Sequence, residues 1–470
     1  MKIKALRKIS LSLPMALFIS ILTLNPVSGE AANIDGELNY SIGNQGYVDF
    51  NNIFETFSKL YKLKNGTFLR FGSQRFNPQS RTTCEGNFTK LLLENITGNG
   101  NLINGNFGAS AAQVLNLRDQ ASITSIVQDK KGFIYLSGSV SDVKQIPIAD
   151  GGGCTSENFR SFLVKLNSFG MPDSKFGEPY QNADSISDGI LYLDEFLGPT
   201  RDFSSISSIN LLNDGVLAAD IFFDENVDII FLNSNDGGIK TSFGVNGKVL
   251  LENPSFNIHK SVQTENGIVV AGDIINNSDN SWFLRWGISQ IDHRGLENKR
   301  FKGMSNYQYS LGYKEGIYVT PQYKEPYIYF VNGVLDGSTY DFKVMRMDQN
   351  GKLDSKYGGY IRNQLLSIGI DSCGYCSGEF AVDSYGRILL NIGTNVPSGP
   401  GFLKSAIVRL DQKGKIDKSF GNSGKILIDL DGASGIYSLG ENKFVVYGTK
   451  FTAPNRLAQF SQMRLQESSR

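Results

Sequence analysis

Eight residues near the C-terminus, Gly414-Lys-Ile-Asp-Lys-Ser-Phe-Gly421, constrain this 470-residue chain more than any other feature, because their pattern returns along its whole length. Related octets occupy residues 36–43, 101–108, 170–177, 237–244, 295–302 and 351–358, which makes seven copies with 414–421. The seventh position is aromatic in six of them, Phe107, Phe176, Phe243, Phe301, Tyr357 and Phe420, and is Ile42 in the first. Successive copies lie 56 to 69 residues apart. A pattern repeated at a near-constant period marks an architecture in which no unit buries its apolar face alone and neighbours stack on one another. Recurrence in every unit assigns the aromatic to that packing rather than to stacking on a carbohydrate.

Three further stretches precede each octet. Nearest is an alternating run, such as Tyr340-Asp-Phe-Lys-Val-Met-Arg-Met347. Before it comes a Gly-led run such as Gly132-Phe-Ile-Tyr-Leu-Ser-Gly138, and before that a short Ser-rich one such as Phe203-Ser-Ser-Ile-Ser-Ser-Ile209. Period-2 alternation punctuated by Asn-Gly, Lys-Gly and Asp-Gly pairs reads as antiparallel meanders. No stretch reads as an amphipathic helix. The prediction is an all-β fold, a seven-bladed β-propeller of four-stranded antiparallel blades. A parallel β-helix has shorter rungs and lacks these hairpin turns.

The two ends supply the last unit. Residues 421–470 and 30–41 together make 62, one more repeat length. The first copy has only the turn and the strand after it, Gly46-Tyr-Val-Asp-Phe50. The run Leu457-Ala-Gln-Phe-Ser-Gln-Met-Arg-Leu465 has only the strand before a turn. Pairing of these N- and C-terminal strands is expected to close the ring and cover two open sheet edges, making residues 30–470 a single domain.

Ahead of that domain, Lys2, Lys4, Arg7 and Lys8 precede an apolar stretch from Leu11 to Leu24, and Val27-Ser-Gly29 offers small residues for cleavage. Residues 1–29 read as a secretory signal peptide, with an apolar core too short to span a bilayer comfortably. No later run is long and apolar enough for a transmembrane helix. The expectation is an exported, soluble monomer, periplasmic, secreted or at the cell surface. The chain balances 46 basic against 46 acidic residues. Loss of the four leader charges leaves a modest acidic excess and no basic block, which argues against a nucleic-acid partner.

Four cysteines in an exported chain favour disulfides over zinc. Cys373-Gly-Tyr-Cys376 has a spacing that redox enzymes use in a βαβ context, which is missing here, so a tight structural bridge is expected. Cys84 and Cys154 stand 23 and 22 residues before Phe107 and Phe176, equivalent places in consecutive units, and are paired on that ground.

The order of strands, Ser-rich, Gly-led, alternating and then the Phe-Gly turn strand, looks like that of NHL-type propellers. The octet itself, Gly-x-Leu-Asp-x-Ser-Phe-Gly, closely resembles the bacterial Delta-60 repeat, a family of secreted or surface β-propellers. The resemblance spans residues 36–465. It is specific in the second, fourth and last copies and weakest at 295–302, where Glu297, Arg300 and Lys302 replace the Leu, Ser and final Gly. It implies a propeller fold and export, and no particular activity.

With the strands of each unit lettered A to D, the A–B and C–D turns share one face and read as short throughout. The long connections, residues 73–86, 139–160, 181–202, 364–379 and 394–404, belong to the B–C and D–A face, as do all four cysteines. Unequal loops on a rigid scaffold are where binding is expected, although loops far from the packing also drift in length without consequence. Phe76, Tyr180, Phe196 and Tyr375 in those loops are the candidate ligand-binding aromatics. His259 leads into an inner strand and is a candidate channel-lining group, or simply a polar residue at a strand start. His293 reads as a solvated turn residue.

Other signals carry less. Ser234-Asn-Asp-Gly-Gly238 matches part of a sialidase Asp-box but lacks its closing aromatic. Asp348-Gln-Asn-Gly351 and Asp411-Gln-Lys-Gly414 echo the start of a calcium loop without its later ligands, and type I turns with Asp first and Gly last explain them. No metal or cofactor is expected. The expected role is non-catalytic binding of a protein or glycan through the long-loop face. The alternative is a hydrolase or lyase acting on envelope or extracellular polysaccharide through loop carboxylates, since one fold hosts both.

Overall fold

A computed structural model describes residues 37–38, 47–50, 59–75, 89–97, 112–115, 120–146, 153–177, 189–192, 205–212, 215–222, 228–251, 256–276, 283–301, 307–310, 319–336, 339–370, 379–399, 402–428, 430, 432–440, 443–452 and 457–466. Two short strands, β1 (Glu37–Leu38) and β2 (Tyr47–Phe50), open the chain. Six four-stranded antiparallel meanders then follow in sequence order. The first comprises β3 (Lys59–Lys62), β4 (Phe68–Arg75), β5 (Thr89–Ile96) and β6 (Ala112–Leu115). The second comprises β7 (Gln120–Gln128), β8 (Ile134–Ile146), β9 (Gly153–Leu166) and β10 (Ile190–Tyr192). The third has β11 (Ser205–Leu211), β12 (Val216–Phe222), β13 (Ile229–Asn233) and β14 (Lys248–Val249). The fourth has β15 (Phe256–Thr264), β16 (Gly267–Asn276), β17 (Phe283–Ile291) and β18 (Tyr307–Ser310). The fifth has β19 (Val319–Lys324), β20 (Tyr327–Asp336), β21 (Thr339–Asp348) and β22 (Gly359–Tyr360). The sixth has β23 (Phe380–Val382), β24 (Ile388–Gly399), β25 (Phe402–Leu410) and β26 (Lys425–Ile428).

The remaining sheet is built differently. It joins β27 (Gly432–Gly440), β28 (Lys443–Thr452) and β29 (Leu457–Gln466) to both N-terminal strands, giving five strands in all. Leu38 pairs with Leu465, and Tyr47 to Phe50 pair with Met463 to Phe460. The expectation of seven four-stranded blades is therefore corrected to six, with a composite five-stranded sheet where the chain ends meet. The physical reason lies in the octet: its third residue bridges the end of the strand before it in five other sheets, as Leu410 with Ile416 and Met347 with Leu353, and here the same contact, Leu465 with Leu38, joins the two chain ends and extends to the two-residue strand β1.

From β7 onward each first strand touches the first strand of the next sheet, through β11, β15, β19, β23 and β27 to β3. β7 in turn packs on β4 and β5, so the ring closes. An apolar cluster of described residues fills the gap between every neighbouring pair of sheets. Phe176 lies between the second and third sheets, Phe243 between the third and fourth, and Phe301 between the fourth and fifth. Tyr357 and Phe420 fill the next two gaps. The protein is an all-β propeller.

The octet's polar residues explain how Phe176, Tyr357 and Phe420 reach their gaps. The alternating strand places a cation eight residues before the octet's Asp, giving Lys165–Asp173, Arg346–Asp354 and Arg409–Asp417 pairs at 2.8, 2.8 and 2.9 Å. The same carboxylates accept backbone N–H groups two residues on, from Lys175, Lys356 and Ser419. The chain is thereby turned so that the next aromatic points inward. In the divergent copy Asn298 and Gln290 replace the ion pair with a 2.6 Å amide hydrogen bond, and Phe301 still packs. The outer strand starts only after this turn, so the C–D connections are not short: the one in the sixth sheet runs from residue 411 to 424.

Two of the five long loops are corrected as well. Residues 139–160 and 394–404 are mostly strand, because β8 with β9 and β24 with β25 continue as hairpins beyond their sheets. Extending the ladder satisfies backbone groups that a loop would leave to solvent. The D–A connection at 361–379 holds a six-residue helix, α1 (Arg362–Ser367), which the sequence reading did not anticipate. One and a half turns give no visible period; the helix is held by burial of Ile361, Leu365 and Ile368 in the core between the fifth and sixth sheets.

Since β29 pairs with β28 on one edge and with β1 and β2 on the other, removing residues 456–470 exposes two edges at once. The truncated protein is expected to aggregate or be degraded on expression. A soluble product with an unchanged thermal midpoint would refute closure by these strands.

Candidate functional site

On the A–B turn side, two neighbouring inner strands end in positive charge. β3 runs into Lys62-Leu-Lys64, and β7 into Asp129-Lys-Lys-Gly132. Both turns pass through a left-handed glycine, Gly66 and Gly132, a backbone conformation that residues with a side chain rarely adopt. One oxygen of Asp129 accepts the backbone N–H groups of Lys131 and Phe133, each at 2.8 Å. This Asx-type turn sets the direction in which the two lysines leave the backbone. The adjacent turns are tied together, since the Lys64 backbone N–H donates to Gln128 Oε1 at 2.8 Å. Lys64, Lys130 and Lys131 are exposed.

Between these turns and those of the third sheet lies a cavity of about 620 Å³, at the ends of β3, β7, β11 and β15. Tyr61, Phe133, Tyr135 and Lys165 line one side, and Asn210 and Gln263 the other. The Lys165 ammonium sits 2.8 Å from Asp173 and donates to the Asn235 carbonyl at 3.2 Å, above the Phe133 ring. Burial alone would raise the Asp173 carboxyl, but hydrogen bonds from Lys165 and the Lys175 backbone hold it below the usual range. The Lys165 charge is thus already matched, and the excess positive charge at the mouth belongs to Lys64, Lys130 and Lys131. Burial pushes Tyr61 and Tyr135 each up to about 12, so both stay neutral hydroxyls. Tyr135 donates to the Ser234 carbonyl at 3.1 Å.

Asn210 connects the cavity to a buried polar cluster. Its amide donates to Ser261 Oγ at 2.5 Å, Ser261 donates to the Asp220 carboxyl, and Ser208 Oγ lies 3.1 Å from Ser261 Oγ. Asp220 is fully buried, and its Oδ1 has no hydrogen-bond partner among the described residues. Burial pushes this carboxyl up to about 7, against hydroxyl hydrogen bonds from Ser261 and Ser208 and with a further upward push from the Asp228 charge.

The expected site residues fall elsewhere. Phe76, Tyr180, Phe196, Tyr375, Phe107, Cys84, Cys373 and Cys376 lie outside the described residues. Cys154 is in β9, with its backbone opposite Gln145, and nothing is described of its side chain. His259 is half-buried at the bulge of β15 and does not line the cavity. The lysines of the mouth were missed because the turn face was set aside as short connections. The available signal was the lysine clustering at 62–64 and 130–131 on two turns that the repeat places side by side.

The cavity therefore combines a cationic mouth with rings, hydroxyls, amides and the aliphatic Val127, Leu211, Leu212 and Val262 inside. Asp129 is the one carboxylate among its described lining residues, and one of its oxygens is used by the turn. Among the described residues no cluster of His, Cys, Asp or Glu is placed to hold a metal ion, and no helix is long and apolar enough to cross a membrane.

No family model matches the chain, and no curated protein matches it. Among solved structures, the polysaccharide lyase Uly1 aligns over 95% of this chain and 94% of its own, at 10% identity and a TM-score of 0.43. A protein of unknown function from Dyadobacter fermentans aligns over 93% of this chain and 99% of its own, at 10% identity and a TM-score of 0.35. A puromycin hydrolase aligns over 72% of this chain and 42% of its own, at 10% identity and a TM-score of 0.31.

Asp220 gives a pH signature. Its folded value, about 7, lies above that of an unfolded carboxyl, so the folded chain keeps a proton that the unfolded chain releases. The contribution is full below about pH 4, declines as pH rises, and is lost once pH passes about 7. In urea unfolding, the stability advantage of wild type over Asp220→Asn should shrink across that interval. A difference that stays constant there would show that Asp220 is ionised throughout.

Proposed function

We propose that this chain is an exported propeller of the Delta-60 type whose axial cavity binds an anionic oligosaccharide without transforming it. The observation that carries the reading is the convergence of Lys64, Lys130 and Lys131 on a cavity lined by rings and amides together with the aliphatic side chains of Val127, Leu211, Leu212 and Val262. Ammonium groups supply attraction and charge-assisted hydrogen bonds to carboxylate or sulfate groups, while Tyr, Asn and Gln suit sugar hydroxyls and ring faces. This moves the binding surface from the long-loop face to the turn face. Fold resemblance to lyases and hydrolases does not assign an activity.

The composite sheet counts in this reading as the seventh blade, because it has neighbours and apolar clusters on both sides like the other six. The signal peptide at 1–29 and bridges Cys84–Cys154 and Cys373–Cys376 belong to the same proposal. Closure of a loop of roughly 70 residues by the first bridge is worth about 4 kcal/mol in the chain-entropy estimate. Peptide mapping of the exported protein without reduction should recover both linked pairs; four alkylatable thiols would overturn the pairing.

The binding reading is tested by calorimetric titration with oligogalacturonate and with a neutral oligosaccharide of the same length. Only the acidic one should bind, with affinity falling as salt rises. Lys130→Glu with Lys131→Glu should weaken binding roughly 10- to 100-fold and leave the thermal midpoint nearly unchanged. Equal binding of the neutral sugar, or cleavage of the acidic one, would sink the proposal.

A further inference from the structure

The Asp220 carboxyl lies two hydrogen bonds from the cavity, through Ser261 and Asn210. The cluster straddles one seam: Ser208, Asn210 and Asp220 come from the third sheet and Ser261 from the fourth. The core between these sheets also holds the apolar Ala218, Ile229, Ile258 and Val270. β13 is led in by the one ionisable group that acts on Asp220, Asp228, whose carboxylate accepts the Leu251 backbone N–H at 2.6 Å. On β15, His259 and Lys260 precede Ser261, and the Lys260 ammonium is 3.8 Å from Glu379 at the start of the sixth sheet. No cation among the described residues pairs with Asp220.

A carboxyl so placed is comfortable when neutral and costly when charged, unless water reaches it. The easiest entry for water is between β11 and β15. There the two sheets are joined by side-chain hydrogen bonds rather than by a backbone ladder, and the cavity lies beside the joint. We propose that Asp220 is a proton-operated latch beneath the cavity. Protonated, it holds the inner strands of the third and fourth sheets together; ionised, it opens their seam and displaces the Asn210 wall. An anionic oligosaccharide then binds more tightly on the acid side of neutrality. This last step rests on the binding reading above; the latch itself does not.

Three measurements separate the two. Infrared difference spectra of wild type against Asp220→Asn, taken between about pH 5 and 9, should show a neutral-carboxyl band giving way to carboxylate near pH 7. Amide exchange in peptides covering β11 and β15 should accelerate over the same interval beyond its intrinsic pH dependence in wild type, and not in the variant. The oligogalacturonate Kd should rise about fivefold or more from roughly pH 6 to 8 in wild type and stay flat in Asp220→Asn. Ser261→Ala, which keeps the carboxyl but cuts its link to Asn210, should retain the infrared titration and lose the pH dependence of binding. A carboxylate already present at the lowest pH, or titration with no change in exchange, overturns the latch. Failure of oligogalacturonate to bind at either pH overturns the binding reading, and the latch is then decided by the infrared and exchange results.

Discussion

The fold depends on the contact between one octet's closing glycine and the turn of the next sheet. The Gly177 backbone N–H donates to the Asp236 carbonyl, that of Gly244 to Arg294 and that of Gly358 to Lys413, at 2.8, 2.9 and 2.9 Å. These bonds need the two turns almost in backbone contact. A Cβ on Gly414 would lie 2.6 Å from the Gly358 Cα, and one on Gly295 would lie 2.6 Å from the Gly244 nitrogen. The octet therefore begins and ends in glycine because the end of one copy is seated on the beginning of the next. The aromatic beside it, buried in the same gap, gives this joint its apolar weight.

A second constraint acts at the centre of the ring. The first strand of each meander has one backbone edge with no strand partner of its own, and burial of that edge demands hydrogen bonds from elsewhere. The neighbouring sheet supplies them. Thr124 donates to the Ile206 carbonyl at 2.8 Å, and Ser125 and Ser161 accept the Ile209 and Ile206 N–H groups at 3.2 Å each. Gln322 accepts the Val382 N–H at 3.1 Å, and where the chain ends meet Tyr437 donates to the Leu60 carbonyl at 2.5 Å. The Ser-rich character of the inner strands is thus a structural device. Asp220 is a variation on it, with a carboxyl added to a serine joint.

Much of this was legible because the repeat is enforced by packing. The glycines and the aromatic answer contacts that recur from unit to unit, and the octet Asp answers one made in three of them, so they can be read. The four-strand order and the pairing of Tyr47 to Phe50 with β29 follow from the same alignment. What depends on a single copy was not legible. The hairpins continued beyond their sheets and the helix at Arg362–Ser367 are solutions to local edge and burial problems, and one short segment carries too little pattern to show them. The cavity was hidden for a related reason: its walls come from four sheets, and Asp220 with Ser261 become neighbours only when two repeats pack.

That division also explains where function is to be sought. The turn Asp129-Lys-Lys-Gly132 and the turn Asp383-Ser-Tyr-Gly386 are built alike. Asp383 Oδ1 accepts the Tyr385 and Arg387 backbone N–H groups at 2.8 and 2.9 Å, as Asp129 does for Lys131 and Phe133. The caps and the glycine are the same, and only the two residues between them differ. Those two positions touch none of the contacts that make the ring, so folding leaves them free to vary, while the cap holds their backbone rigid. A charge placed there is displayed from a preorganised frame rather than from a loop that must be ordered on binding, which lowers the entropic cost of recognition. Lysines at both such positions of the second sheet, beside Lys64 on the turn of the first, are therefore departures that the repeat neither requires nor explains. In a chain whose regularities are accounted for by packing, it is such departures that point to a ligand.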